Sequence, residues 1–264
     1  MKTHLAIAAI VFGLAGCDGA GGSDPGASSG PTVVFEAGLG DGSESWAALR
    51  AQLPENISHF AWSRAGYGGL GLADLRVWPG DLDGRRTGRE VAEQLDATLR
   101  GKGLRPPYIL VGHSVGGTYT LAYAKAFPEK VAGLVLVDAR LPDFTARCQA
   151  LALKGCKPPV ALMALMGRAE ILELRGMPKT EATLRDLSFL ERIPVTVMSA
   201  GRGGFGVSDA FQRAWINYAE EFADRLPRGT HIHVPESGHY IHQRQPDRVI
   251  KEILSLFPSQ LPQG

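Results

Sequence analysis

The 264 residues carry 44% hydrophobic, 21% charged and 8% aromatic side chains, a composition that excludes disordered, collagen-like and coiled-coil architectures. With 28 Lys and Arg against 27 Asp and Glu, the formal net charge of +1 gives no broad attraction toward nucleic acid or anionic lipid, so nucleic-acid binding is disfavoured. The one run apolar enough to concern a bilayer, Leu5 to Ala15, is shorter than the ~20 residues a span requires, which excludes a polytopic membrane protein.

Residues 1–16 read as a secretory signal: Lys2, an apolar run from Leu5 to Phe12, then small residues. The run ends in Leu14-Ala15-Gly16-Cys17, which resembles the lipobox of bacterial lipoproteins, and that resemblance implies lipidation of Cys17. Residues 17–31 are almost all Gly, Ala, Ser, Asp and Pro, unable to bury apolar area, and read as a flexible tether. The expectation is an exported chain anchored in a lipid bilayer. Asp18 resembles an inner-membrane retention signal of Gram-negative lipoproteins, pointing to the periplasm-facing inner membrane. With Cys17 lipidated, Cys148 and Cys156 remain as an even pair in an oxidising compartment, either a disulfide closing a short loop or two free thiols.

From residue 32 onward, short β-branched runs alternate with helical patterns, which predicts an α/β fold: a mostly parallel central sheet flanked by helices. Strands are expected at Thr32 to Glu36, Ile57 to Trp62, Tyr108 to Val111, Gly133 to Asp138, Pro194 to Ser199 and Thr230 to Val234. The clearest helix starts at Thr87, where Thr87 and Glu90 form a capping-box pattern ahead of Val91, Leu95 and Leu99. Others fit Val115 to Phe127, Ser208 to Leu226 and Asp247 to Phe257. The stretch from Asp81 to Arg89 reads as a solvated loop, with functional arginines as its alternative. Residues 139–192 show no strand pattern and predict a helical cap inserted between two late strands of a core formed by 32–138 and 193–264. Its Leu162, Met163, Leu165 and Met166 suggest an apolar pocket, although such residues are more often simply core.

Gly112-His113-Ser114-Val115-Gly116 follows a predicted strand and opens a predicted helix, the strand-turn-helix setting that gives G-x-S-x-G its meaning. The residues Val33 to Gly40 with Trp46, Arg64-Ala65-Gly66-Tyr67-Gly68, Gly112 to Gly117, Gly133 to Asp138 and Ser237-Gly238-His239-Tyr240 together resemble the α/β-hydrolase superfamily over about Thr32 to Phe257. The resemblance implies Ser114 as nucleophile and His239 as its base, with His242 the competitor. The acid is less plain. Many relatives carry a Gly-x-x-Asp after the fifth strand, where this chain reads Gly201-Arg202-Gly203-Gly204. Asp138, at the end of the preceding strand, is the alternative seen in some relatives, with Asp143 and Asp209 as fallbacks and helix capping as the plain reading of Asp138. The oxyanion donors implied are the backbone N–H groups of Val115 and Leu39, although Ala37-Gly38-Leu39 departs from the family's usual His-Gly. Glu36 reads as a strand-end residue satisfied by loop amides.

A serine at position 114 implies a serine hydrolase, the expected substrates being small-molecule carboxylic esters, with lactonase, thioesterase and peptidase as neighbouring activities. The departures at the acid and the loop keep open a catalytically silent small-molecule-binding homologue. No metal-ligand spacing and no dinucleotide fingerprint appear, so no cofactor is expected, and no protein partner is identifiable.

Overall fold

The computed structural model describes residues 30–67, 82–156, 166–203 and 207–258. The signal segment, Cys17, most of the tether, Leu162, Met163, Leu165 and Gly204 lie outside the described residues.

Among the described residues six strands form one sheet: β1 (Thr32–Glu36), β2 (His59–Ala61), β3 (Tyr108–His113), β4 (Val131–Val137), β5 (Val195–Ala200) and β6 (Gly229–Val234). All pairings are parallel, in the order β2-β1-β3-β4-β5-β6. Every expected strand is present; β2 is shorter than expected, and β3 runs two residues further, to His113. The helices are α1 (Ala47–Arg50), α2 (Gly88–Gly101), α3 (Val115–Ala126), α4 (Phe144–Ala150), α5 (Arg168–Thr183), α6 (Asp209–Asp224), α7 (Ile241–Arg244) and α8 (Pro246–Ser255).

Alternation along the central strands sends successive side chains to opposite faces, and both faces are covered. Val34, Leu110, Leu134, Leu136, Val195 and Val197 pack with α2, α3 and α6 on one side. Val33, Phe35, Ile109, Val111, Val135, Val137 and Met198 pack with Trp46, Leu49, Ile241, Val249 and Ile253 on the other. Two-sided burial is why these strands read as continuous apolar runs.

The capping box at the start of α2 is formed: Thr87 Oγ1 accepts from Glu90 N at 3.5 Å, and Glu90 Oε2 accepts from Thr87 N at 2.6 Å. The solvated-loop reading around it needs correction. Asp83 and Arg85 form an exposed pair, but Arg86 is buried and donates to Ala65 O at 2.8 Å and to Glu173 Oε1 at 3.3 Å. Its aliphatic stem and charge were drawn inward because α5 supplies a buried carboxylate. The close fit continues at Gly176 of α5, where an added Cβ would fall 1.8 Å from Arg86 O.

Between β4 and β5 lie α4, α5 and a 3-10 turn, Ser188–Leu190. Cys148 at the end of α4 and Cys156 are joined, with sulfur atoms 1.98 Å apart. Among the described residues no helix is long and apolar enough to cross a membrane.

Candidate active site

The strand order reverses between β1 and β3, and in open parallel sheets ligands bind outside the carboxyl ends of the strands at such a switch point. The loop after β1 and the turn after β3 both emerge there. Ser114 is the single residue between β3 and α3, and that sharp reversal puts it at φ 53°, ψ −124°. Residues other than glycine rarely occupy this region. The turn is held from both sides: Ser114 N donates to Val137 O at 3.2 Å, and Ser114 O accepts from Gly117 N at 3.0 Å and Arg140 N at 2.9 Å. Only glycine fits its flank, because a Cβ on Gly116 would lie 2.3 Å from Glu36 O. Val115 then begins α3, so its N–H is one of the helix's unpaired first-turn donors.

Asp138 follows β4 directly, buried and at φ 42°. It does not serve as the cap of α4, since Asp143 occupies that place. Its Oδ1 accepts from Ala200 N and Trp215 Nε1, both at 2.9 Å, while Oδ2 meets His239 Nδ1 at 2.6 Å. This fixes the imidazole with Nε2 as the nitrogen not engaged by the carboxylate. Of the fallback acids, Asp143 pairs with Arg185 at 3.1 Å and Asp209 opens α6. His239 sits in the loop after β6 and is tied to the Ser114 turn through His113, whose Nε2 bonds His239 O at 3.0 Å, with the two rings 4.5 Å apart.

The other histidines separate clearly. His231 and His233 flank Ser199 Oγ at 2.8 and 3.3 Å on the sheet edge. His242 is buried against Trp46, ring centroids 4.2 Å apart, and stands 4.6 Å from His113. Burial, and the nearby His239, push its pKa down to about 3, which makes it a weak base. Burial also holds His113 well below the ordinary range. Among the described residues no group of three or more His, Cys, Asp or Glu side chains is arranged to hold a metal ion.

The expectation for Glu36 is overturned. Its carboxylate takes the Trp62 indole N–H at 2.5 Å and an ion pair from Arg64 rather than loop amides, because loop carbonyls, not N–H groups, face this side. Burial raises its pKa to about 7 against the lowering effect of Arg64. Sequence reasoning also missed Trp215 and Glu173. Trp215 carried no local signal, and a glutamate within a helix reads as solvent-facing.

His242 gives a stability test. Its folded pKa of about 3 lies below the ordinary 6.5, so below pH 6.5 the unfolded chain binds a proton that the folded chain refuses. Its contribution is complete above pH 6.5 and is lost as pH falls toward 3, at up to about 1.4 kcal/mol per pH unit. Neither ring nitrogen has a hydrogen-bond partner among the described residues, so His242→Phe sacrifices none. Urea unfolding between pH 7 and 4 should show the variant losing less stability with acid than the wild type; parallel pH profiles would contradict the assignment.

Residues 33–252 match the model of the alpha/beta hydrolase family. The uncharacterised protein YqjL of Bacillus subtilis is 28% identical over 221 residues, covering 83% of this chain and 80% of that protein. Among the solved structures that share the fold, two illustrate the likeness. Cfl2 from Burkholderia cenocepacia is similar at TM-score 0.61 and 19% identity, covering 87% of this chain and 89% of that one. A thermophilic esterase from Thermogutta terrifontis is similar at TM-score 0.55 and 20% identity, covering 86% and 89%. With the matched span covering most of its length, this chain belongs to the alpha/beta hydrolase family.

Proposed function

We propose that the protein is a serine hydrolase that cleaves carboxylic esters, with Ser114 as nucleophile, His239 as general base and Asp138 as the acid that orients it. The observation that carries this reading is the 2.6 Å contact between Asp138 Oδ2 and His239 Nδ1 at the sheet edge that also bears the Ser114 turn. A serine hydroxyl is a weak nucleophile until a base takes its proton. In the proposed reaction His239 Nε2 accepts that proton as Ser114 Oγ attacks the ester carbonyl. The tetrahedral oxyanion is met by the N–H groups of Leu39 and Val115. His239 then protonates the departing alkoxide, leaving an acyl-enzyme. Water, deprotonated by the same imidazole, attacks the acyl carbon and releases the carboxylic acid and free Ser114. Asp138 holds the tautomer and stabilises the imidazolium in both halves. A chain retained only for binding has no need of a carboxylate fixed by three donors, which favours turnover over the silent-binding reading.

The anchoring expectation is kept as a proposal: Cys17 carries lipid and holds the enzyme on the outer face of a membrane. The bridge between Cys148 and Cys156 supports export, since such bonds persist in oxidising compartments.

Hydrolysis of a chain-length series of p-nitrophenyl esters tests the chemistry. Ser114→Ala and His239→Ala should each lower kcat by about 10⁶-fold. Asp138→Asn should lower it by about 10⁴-fold. Near-normal turnover by Asp138→Asn would move the acid role to another carboxylate, and activity surviving in Ser114→Ala would remove serine chemistry altogether. Cys17→Ala should shift the protein from the membrane to the soluble fraction with specific activity unchanged; continued membrane fractionation would refute the lipid anchor.

A further inference from the structure

The loop after β1 lacks the histidine that usually shapes it in this family, yet its carbonyls are held firmly. Arg64, in the turn after β2, is 1% exposed. Its Nη1 donates to Ala37 O and its Nη2 to Gly38 O, each at 2.7 Å. Because a trans peptide unit is planar, a carbonyl drawn toward Arg64 turns the N–H of the same unit the opposite way. Gly38 O therefore sets the direction of Leu39 N–H, and Ala37 O that of Gly38 N–H. The nucleophile turn lies close by. A Cβ on Gly38 would come within 3.0 Å of His113 Nδ1, and one on Gly116 within 2.5 Å of Ala37 O.

The remaining donors of Arg64 are also committed. Nε donates to Glu173 Oε1 at 2.8 Å, Nη2 to Glu173 Oε2 at 3.1 Å, and Nη1 to the Glu36 carboxylate. All five guanidinium N–H groups thus have acceptors, two of them the loop carbonyls. Tyr67 and Tyr119 face the guanidinium with ring centroids 4.8 and 5.2 Å from its carbon. Glu173 is itself fully buried, on α5, and takes further bonds from Tyr67 OH at 3.0 Å and Arg86 Nη1 at 3.3 Å. A carboxylate from the helical segment between β4 and β5 therefore grips the same cation that sets the loop.

We infer that Arg64 is a positioning residue for the oxyanion hole and that Glu173 locks it in place, so that α5 must be docked for Leu39 N–H to meet the developing oxyanion. The inference rests on the serine-hydrolase reading. Its chemistry is geometric: a planar fork reaches two carbonyls and two carboxylates at once, which the single ammonium of lysine cannot do.

The test compares Arg64→Lys and Glu173→Gln with the wild type on a p-nitrophenyl ester. Rates are normalised to sites titrated with a fluorophosphonate, beside melting temperatures and inhibition by a trifluoromethyl ketone, which binds as a tetrahedral oxyanion. Both variants should lose about 10- to 100-fold in kcat per titrated site with KM within about twofold, short of the ~10²–10³-fold cost of removing a donor outright. Affinity for the trifluoromethyl ketone should weaken by the same factor as kcat/KM. A purely structural ion pair would lower the melting temperature and the titrated fraction and leave kcat per site unchanged. If Arg64→Lys fails to fold, Glu173→Gln carries the test, because its carboxamide keeps the shape and one acceptor. Unchanged kcat per site in the folded variants, with the wild type labelled and active, would overturn this inference alone. A wild type that neither labels nor hydrolyses would overturn the hydrolase reading, and this inference with it.

Discussion

Everything at the site depends on the register of the parallel strands. Glu36 stands opposite Gly112, His113 opposite Val137, and Val137 opposite Met198, so β1, β3, β4 and β5 end at nearly one level. The residues just past those ends, Ala37, Ser114 and Asp138, consequently meet at one edge, and Ser114 N and Asp138 N continue the ladder to Val137 O and Met198 O. A slip by one residue would exchange the side chains that a strand presents to the two apolar layers, Val34 for Val33 or Phe35, misfitting both and shifting the serine away from the carboxylate. The two apolar layers therefore fix the alignment of the polar residues above them.

That alignment places charge where water is scarce, and each buried ion is matched. Asp138 has two neutral donors on Oδ1 and the imidazole on Oδ2. Arg64 has two carboxylates and two carbonyls. Removing one member of such a buried set typically costs about 3–5 kcal/mol, because the remaining charge is left uncompensated. Helix α5, inserted after β4, is thus bound to the loops beside the sheet by ions as well as by apolar contact, through Glu173 to Arg64 and Arg86. Trp215 makes a similar connection from α6: its indole fixes Asp138 while its ring packs on Phe144 and Phe211.

The strands, the capping box at Thr87 and the Ser114 turn were legible in the sequence because each is written in neighbouring residues. Runs of β-branched side chains, a Thr-x-x-Glu spacing and two glycines flanking a serine all act locally. Asp138 could be singled out because the more usual position, at Gly204, carries no carboxylate. The ionic cluster was not legible. Arg64 and Glu173 are separated by 109 residues, and nothing near either one tells that the other will neutralise it. For the same reason Glu36 reads in the sequence as amide-bound and Arg86 as solvated, although each is paired by a residue distant in the chain. His242 reads as an ordinary histidine at a helix start, and only its packing on Trp46 shows why it is an unsuitable base.

The central claim is that Ser114 is an activated nucleophile. It is tested most directly by reacting the folded protein with a fluorophosphonate and locating the adduct by peptide mass spectrometry, with the heat-denatured protein as control. The account predicts one stoichiometric adduct, on Ser114, formed only by the folded chain. No adduct on a folded, soluble protein, or an adduct on another serine, would contradict it.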